Sequence, residues 1–381
     1  MLLENFVAGT WEKRDNYKSF EPKLINHGWT WNHSRINVLL ERATRALASF
    51  DATINNINAE EVERYIRMHV LKEADASSRI EGTQTDIEDL LQPKESIDPE
   101  KRGDWQEVQN YVRALNEAVA DTSLPLSNRL IRQAHKTLMS NVRGGISSKR
   151  PGDFRTSQNW IGNSLKDATF IPPHHSYVDD YMSDLEKFLH NNTLEVPHLI
   201  KIAIVHYQFE TIHPFLDGNG RIGRLIIPLY LIENKILSKP AFYLSDYFEK
   251  NRLAYYDALT HVRTKNDMIS WIVFFLTGVE QVATKGITTF RKILDLKKAT
   301  EEKIREKFNT QAIGTLLNVI NLFYNDPSIT VKAIANQLHI TYPTANSAVK
   351  DLVDQGILLE ITQQARNRAF YYKNYLRLFQ E

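Results

Sequence analysis

The architecture of this 381-residue chain follows from one stretch, His213-Pro214-Phe215-Leu216-Asp217-Gly218-Asn219-Gly220-Arg221-Ile222-Gly223-Arg224. Its glycines let the backbone approach an anion more closely than residues with side chains would. Its two arginines stand three residues apart and therefore point the same way on a helix. If a helix begins near Gly220, its free N–H groups and the positive end of its dipole face the same anion. The stretch is suited to binding a nucleotide phosphate.

Each residue type in this stretch suits one task in phosphoryl chemistry. A neutral imidazole accepts a proton from a hydroxyl near neutral pH, so His213 is the candidate general base. Mg²⁺ prefers hard oxygen ligands, which makes Asp217 the candidate metal ligand and Mg²⁺ the expected cofactor. Guanidinium groups neutralise phosphates well, so Arg221 and Arg224 are the candidate partners of the outer phosphates. The predicted phosphate-binding set also contains Gly218, Asn219 (donating from its side-chain amide), Gly220, Ile222 and Gly223.

Taken singly, these features are typical of a turn, a loop and a solvated helix face, but their coincidence in twelve residues makes that reading improbable. The stretch resembles the signature of Fic-domain proteins, H-x-F-x-(D/E)-G-N-G-R-x-x-R, and agrees with it at every fixed position. Upstream, Ser77-Ser78-Arg79-Ile80-Glu81-Gly82 resembles the family's inhibitory-helix pattern, (S/T)-x-x-x-E-(G/N). Pro151-Gly152-Asp153-Phe154-Arg155 followed by Phe170-Ile171-Pro172-Pro173-His174 resembles its flap region. The resemblance covers residues 60–280.

The resemblance implies a mainly α fold, a Fic-type helical domain with a short β-hairpin flap. It implies a reaction in which a protein hydroxyl attacks the α-phosphate of ATP. AMP then remains on a Tyr, Thr or Ser of a target, or of the chain itself, and pyrophosphate leaves. Such proteins commonly supply the base pocket at the positions of Asn251, Tyr255 and Tyr256, where an aromatic face would stack on adenine.

The resemblance also implies built-in inhibition. The equivalent of Glu81 pairs with the second arginine of the motif, here Arg224, and would leave the γ-phosphate of ATP without that partner. Ser77, one helical turn earlier, is expected to steady this helix end. On local sequence alone, Glu81 is a surface glutamate beside a helix cap at Gly82. As in some relatives, the same carboxylate could instead position a water that removes AMP, and the sequence does not separate these two uses.

Composition favours a soluble cytoplasmic protein. Lys and Arg total 47 against 46 Asp and Glu, so no overall field draws the chain to nucleic acid or anionic lipid. Cysteine is absent, which excludes disulfides and thiolate sites and fits a reducing compartment. The most apolar run, 268–279, is about half of the roughly twenty residues needed to span a bilayer. No membrane association is expected.

Changes in periodicity predict the domain boundaries. The expected parts are an N-terminal arm and helix packing on the core (1–55, helical from near residues 36–40), the Fic domain (56–295), a solvated helical connector (296–310) and a winged-helix-like domain (311–381). Within the Fic domain lie the inhibitory helix (about 58–82), the flap (about 155–173) and the motif (213–224). The flap is expected to offer a β edge to an extended target segment. Its Trp160 and Phe170 are expected to serve packing more than recognition.

The C-terminal module resembles a winged helix-turn-helix, yet its chemistry is a weak match to DNA. Its predicted recognition helix, 342–355, carries Lys350 against Asp351 and Asp354, and basic residues gather only at Arg366 and Arg368. Partner binding, homodimerisation or substrate presentation is therefore favoured over DNA binding. The alternative function is a DNA-binding regulator that uses its Fic domain as a nucleotide sensor, against which the intact His213 argues. A further alternative is AMP removal or another phosphoryl-type transfer on the same scaffold.

Overall fold

The computed structural model describes residues 1–56, 58–92, 94–121, 124–142, 150–360 and 368–380. These residues form a mainly α fold with short antiparallel sheets, which confirms the predicted fold class. The helices of the main body are α1 (Ser34–Asn55), α2 (Ala59–Ile80), α3 (Ile87–Leu90), α4 (Arg102–Ala120), α5 (Asn128–Leu138), α6 (Val178–His190), α7 (His198–Ile212), α8 (Asn219–Glu233), α9 (Ser245–Lys250), α10 (Arg252–Lys265) and α11 (Met268–Lys307). Within the described ranges, no helix has both the length and the apolar character needed to cross a membrane.

Helix α7 lies at the centre of the main body, and apolar residues are spread over all of its faces. All residues from Leu199 to Ile212 are buried, and the polar Lys201, His206 and Glu210 are among them. Helices α6 and α8 pack against it, and α11 packs along α1. Trp271 of α11 is buried and donates its indole N–H to the carbonyl of Ala203 at 2.8 Å. The motif connects α7 to α8 and is therefore held between two buried helices.

The N-terminal region contains a β-hairpin that the sequence analysis did not predict. Strands β1 (Gly9–Lys13) and β2 (Lys18–Pro22) pair antiparallel. The backbone N–H of Phe20 in β2 donates to the carbonyl of Ile171 at 3.0 Å, which joins the hairpin to the flap. The expected extended arm is thus a paired hairpin, while the helix expected from near residues 36–40 is present as α1. The alternation within each five-residue strand was too short to recognise from sequence.

The β structure of the flap is one antiparallel bridge between Ile161 and Phe170. Phe170 is buried against the hairpin, as expected. The expectation that Trp160 serves packing was wrong, because its side chain is 41% exposed. Among the described residues no layer covers the outer side of the flap at this point, so Ile161 is also exposed.

Helix α11 continues without a break through the predicted connector to Lys307. The expectation of a fully solvated connector was wrong, since Thr300 and Ile304 are buried. Thr300 shares a 2.5 Å hydrogen bond with the hydroxyl of Tyr372, which fixes the C-terminal module to the long helix.

The C-terminal module has the winged helix-turn-helix order. It comprises α12 (Thr310–Asn325), β3 (Ser328–Thr330), α13 (Val331–Gln337), α14 (Tyr342–Asp354), β4 (Leu359–Glu360), β5 (Ala369–Tyr371) and α15 (Lys373–Gln380). Its sheet has the order β3-β5-β4. Of the two predicted basic residues of the wing, Arg366 lies outside the described residues. Arg368 lies 3.6 Å from Glu360 and donates to Asn346 at 2.6 Å.

Candidate active site

Helix α7 ends at His213 because this residue adopts a left-handed conformation, φ 51° and ψ 60°. The His213 carbonyl lies just beyond the end of the helix. It accepts hydrogen bonds from Arg155 Nε at 3.0 Å and from Asn159 Nδ2 at 3.1 Å. Arg155 also donates to the carbonyl of Pro173 at 2.6 Å. Both ends of the flap are therefore anchored to the backbone of the candidate general base. The sequence analysis did not assign these roles to Arg155 and Asn159.

The imidazole of His213 is held in its neutral form. Burial lowers its pKa to about 4, and the nearby charge of Arg155 acts in the same direction. Its Nδ1 is buried and has no hydrogen-bond partner among the described residues. A neutral ring with an unpaired nitrogen is able to accept a proton.

Asn219 closes the motif loop. Its Oδ1 accepts from the backbone N–H of Phe215 and its Nδ2 donates to the carbonyl of the same residue, both at 2.8 Å. The loop backbone takes up Oδ1 and one of the two N–H donors of the Asn219 amide, so donation to a phosphate stays a prediction for the other N–H. Ile222 is likewise a packing residue, since its side chain is fully buried and its N–H bonds to the carbonyl of Gly218 at 3.1 Å.

Gly218 begins α8 in a left-handed conformation, φ 77°. A Cβ there would lie 2.9 Å from Met139 Sδ, so only glycine fits both the conformation and the space. Beside it, the Asp217 carboxylate is half-exposed and accepts from the N–H of Gly218 at 2.6 Å. In the described part of the chain, no group of three or more His, Cys, Asp or Glu side chains could hold a metal by itself. The Asp217 carboxylate would therefore hold Mg²⁺ only if phosphate oxygens and water supplied the other ligands.

His135 of α5 supports this loop from beneath. Its ring stacks on Phe215 with centroids 3.7 Å apart and planes 6° apart. Because the N–H of Gly152 donates to Nδ1 at 2.9 Å, the ring proton lies on Nε2, which contacts the carbonyl of Asp217 at 2.9 Å. Burial lowers the pKa of His135 to about 4, so this tautomer is neutral. The sequence analysis did not identify His135.

Arg224 is engaged by the end of α2. Its Nη2 donates to Glu81 Oε1 at 2.7 Å and to the carbonyl of Ser77 at 2.9 Å, and its Nε donates to Ser77 Oγ at 2.9 Å. Loss of water raises the pKa of Glu81, but the charge of Arg224 and its hydrogen bond outweigh this, so the pKa lies below its ordinary value. A Cβ on Gly220 would collide with Glu81 Oε1, so a larger residue there would push the carboxylate aside. The structure thus brings Ser77, Glu81, Gly220 and Arg224 together.

Arg221 is also paired with a carboxylate. Its Nη1 donates to Glu107 Oε2 of α4 at 2.8 Å, and its Nη2 lies 3.7 Å from Asp217. Its guanidinium is 5% exposed. Sequence reasoning missed Glu107, which is 114 residues away along the chain. Both arginines of the motif are therefore held by glutamates from the N-terminal half.

Sequence profiles of known families match three parts of the chain. Residues 38–120 match the Fic/DOC family N-terminal profile, and residues 125–231 match the Fic/DOC family profile. This part of the chain is a Fic domain. Residues 314–358 match a profile described as winged helix-turn-helix DNA-binding.

Curated relatives share the Fic region. A protein adenylyltransferase Fic from Aedes aegypti is 24% identical over 249 residues, which cover 64% of this chain and 46% of that protein. A probable protein adenylyltransferase from Aquifex aeolicus is 40% identical over 72 residues, or 19% of this chain and 22% of that one. The chain spans about half the length of the mosquito relatives it matches.

A solved structure shares the fold. The crystal structure of a Fic family protein from Desulfovibrio desulfuricans superposes with a TM-score of 0.56 at 18% sequence identity. The match covers 90% of this chain and 96% of that one. The superposed part of this chain includes the Fic domain and most of the segments on either side of it.

The predicted base pocket of the Fic domain is only partly open. Tyr255 is 1% exposed, and its hydroxyl lies 2.8 Å from His206 Nε2, so its predicted place in the base pocket was wrong. Its ring is stacked on Phe248 in the core and offers no free face to a ligand. Tyr256, in contrast, is 40% exposed and lies near enough to Glu81 and Arg224 to be influenced by their charges. Asn251 is exposed, with its Nδ2 bonded to the carbonyl of Tyr247 at 2.9 Å.

Gly223 faces a buried carboxylate of α7. A Cβ at Gly223 would collide with Glu210 Oε1, an atom without a hydrogen-bond partner in the described ranges. Burial raises the pKa of Glu210 to about 7, partly offset by the charge of Arg224. The glycine predicted for phosphate binding is therefore required here for helix packing. Sequence reasoning did not identify Glu210.

Proposed function

We propose that the chain is a protein adenylyltransferase whose resting state is inhibited by Glu81. It transfers AMP from ATP to a hydroxyl side chain of a target protein or of itself and releases pyrophosphate. One observation carries the proposal: the motif from His213 to Arg224 lies against the end of α2, and its second arginine, Arg224, is paired with Glu81 at 2.7 Å. The adenylyltransferase names of the relatives support the same chemistry.

The chemical step follows from the placement of His213. The target hydroxyl loses its proton to the neutral imidazole while its oxygen attacks the α-phosphorus. The bond from the α-phosphorus to the bridging oxygen then breaks, and pyrophosphate leaves. The N–H groups at the start of α8 stabilise the negative charge that develops, and Arg221, whose Nε has no hydrogen-bond partner among the described residues, adds its positive charge. Mg²⁺ held by Asp217 and the phosphates would supply further charge neutralisation.

Inhibition follows from the occupation of Arg224. Its Nε and Nη2 groups both donate to α2, so they are unavailable to an outer phosphate. Without that contact, ATP binds with its α-phosphate out of line for attack, since phosphoryl transfer depends on positioning. Use of the same Glu81 to orient a water for AMP removal is the alternative, and it predicts loss of AMP from a modified target.

The exposed outer side of the flap is where we place the target. Trp160 and Ile161 are exposed there, and the flap is anchored to the His213 carbonyl through Arg155. An extended target segment lying along the flap would therefore present its hydroxyl to His213. The absence of cysteine suits a reducing compartment, and we propose the cytoplasm.

The C-terminal module is proposed to bind a partner or a second copy of the chain. The exposed face of α14 presents Tyr342, Thr344, Ser347 and Lys350, a nearly neutral surface. DNA binding is the second candidate because of the profile that this module matches. A gel shift at low and moderate salt separates the two, since phosphate contacts make DNA binding strongly salt-dependent.

The experiment that tests the proposed reaction is mass spectrometry of the Glu81→Gly protein after incubation with ATP and Mg²⁺. The expected product is an AMP adduct on a Tyr, Thr or Ser, absent when His213→Ala is added. A phosphate adduct instead of AMP would contradict the reaction, and an adduct that persists without His213 would contradict the general base.

A further inference from the structure

The β1–β2 hairpin and the flap enclose a groove outside the catalytic motif. The hairpin precedes residue 38, where the Fic/DOC N-terminal profile begins. The groove consists of two adjoining openings of about 730 and 330 Å³, and both are lined by Asn16, Tyr17 and Leu165. We call it the hairpin–flap groove. Its hairpin side comes from a segment that the family profiles do not cover, whereas its flap side lies within the matched residues 125–231.

The floor of the hairpin–flap groove is aromatic. Trp11 and Phe20 are directly opposite in the hairpin, with ring centroids 5.2 Å apart. Each ring also lies 6.1 Å from Phe170 of the flap. Phe20 and Phe170 are buried, whereas Trp11 keeps 45% of its surface exposed. Trp11 and Phe170 line the groove while the buried Phe20 packs against both, so the floor offers one open aromatic ring, Trp11, to a ligand.

The rim of the groove is basic. Side chains alternate along a strand, so Lys13 and Lys18, which are paired in register, stand on the same face as Trp11. Lys166 adds a third ammonium from the flap side, and all three lysines are exposed. Arg14 also lines the groove, but its charge is paired with Glu21 at 2.8 Å. Among the described residues that line the groove, the acidic side chain is that of Asp15. This concentration of positive charge contrasts with a net charge of +1 for the whole chain.

We propose that the hairpin–flap groove binds an extended acidic segment of the target protein. The proposal rests on the proposed transfer to a protein hydroxyl and names the chemistry of that target. Charge complementarity with the three lysines favours glutamate or aspartate, and the exposed Trp11 ring favours an apolar or aromatic side chain among them. The flap runs from the groove to Pro173. Arg155 donates hydrogen bonds both to the carbonyl of Pro173 and to the carbonyl of His213. A segment held in the groove is thereby directed toward the general base.

The test is a direct binding measurement without ATP, so that it does not depend on transfer. The probes are a short glutamate-rich peptide with a central tyrosine and a lysine-rich peptide of the same length. The full chain carrying Lys13→Glu, Lys18→Glu and Lys166→Glu is compared with wild type. A matched control carries Lys187→Glu, Lys298→Glu and Lys307→Glu, which change the net charge equally at exposed positions elsewhere.

Wild type and the control variant should bind the acidic peptide, and the groove variant should bind it about tenfold more weakly, because exposed ion pairs are individually weak. The groove variant should also come to prefer the lysine-rich peptide. Equal losses in the two variants would overturn the proposal, as would tighter binding of a single-stranded oligonucleotide than of the acidic peptide. Failure of the proposed transfer would appear separately, as absence of an AMP adduct with intact peptide binding.

Discussion

The carboxylate of Glu81 accepts a 2.7 Å hydrogen bond from the guanidinium of Arg224, 143 residues further along the chain. The contact joins the end of α2 to the start of α8 and passes over Gly220, where a larger residue would push the carboxylate aside. Ser77 adds two further bonds to the same guanidinium. Together they give the end of α2 a defined position next to the motif from His213 to Arg224.

Ser77→Ala should weaken the contact without abolishing it. The change removes the bond from Arg224 Nε, and a hydrogen bond to a charged group contributes about 2 kcal/mol. We expect the free energy of unfolding to fall by about that amount and AMP transfer to rise less than in Glu81→Gly. Ser78→Ala is the matched control, because Ser78 is equally buried and its Oγ has no partner among the described residues. Equal losses in urea denaturation would contradict a specific role for Ser77.

Glu107→Ala should destabilise the protein through Arg221. Removing one partner leaves a nearly buried guanidinium without its closest countercharge, which costs about 3 kcal/mol in comparable pairs. Glu117→Ala on the same helix is the control, because its pair with Arg113, at 3.9 Å, is exposed. Chemical denaturation of both variants measures the difference. If the two variants lose the same stability, Glu107 does not hold Arg221 in solution.

Gly223→Ala should be destabilising because its Cβ would meet Glu210 and Phe209. Overpacking of this kind costs about 1–3 kcal/mol. Gly314→Ala in α12 is the opposite case, since nothing lies within 4 Å of its Cβ position, and it should gain stability from helix propensity. Combining Gly223→Ala with Glu210→Ala should recover part of the loss. A Gly223→Ala variant as stable as wild type would show that Glu210 moves aside freely.

The raised pKa of Glu210 predicts that the stability of the protein depends on pH. Its pKa rises from 4.5 to about 7 on folding, so between these values the folded state binds more protons than the unfolded state. Stability therefore falls as pH increases through this interval. Glu210→Gln should remove that part of the decline while leaving the remainder. Denaturation midpoints across this range measure it, and identical slopes for the two proteins would contradict the shift.

Sequence reasoning found the parts of this protein that local pattern encodes. The inhibitory helix predicted at about 58–82 agrees with α2, the recognition helix predicted at 342–355 agrees with α14, and the motif pointed to the region around His213. Local pattern does not predict contacts between residues that are far apart along the chain. His135 and Asp217 are 82 residues apart, and nothing in the local sequence of either indicates the other.

The errors have a common physical origin. The resemblance placed Tyr255 in the base pocket, but the fold buries its ring, and its hydroxyl contacts His206 Nε2. Residue type assigned Asn219 to a phosphate, and the fold uses its Oδ1 and one N–H for the backbone of Phe215. A polar side chain has the same appearance in sequence whether it serves a ligand or a buried backbone group. The structure decides between these because buried polar atoms need partners.

The rate of AMP incorporation in Glu81→Gly relative to wild type, each incubated with ATP and Mg²⁺, tests the central claim most directly. Release of Arg224 restores one preorganised phosphate donor, and loss of one such donor typically changes a rate about a hundredfold. We predict an increase of about that size in Glu81→Gly and no incorporation in Glu81→Gly combined with His213→Ala. Incorporation by Glu81→Gly at the wild-type rate would contradict inhibition by Glu81.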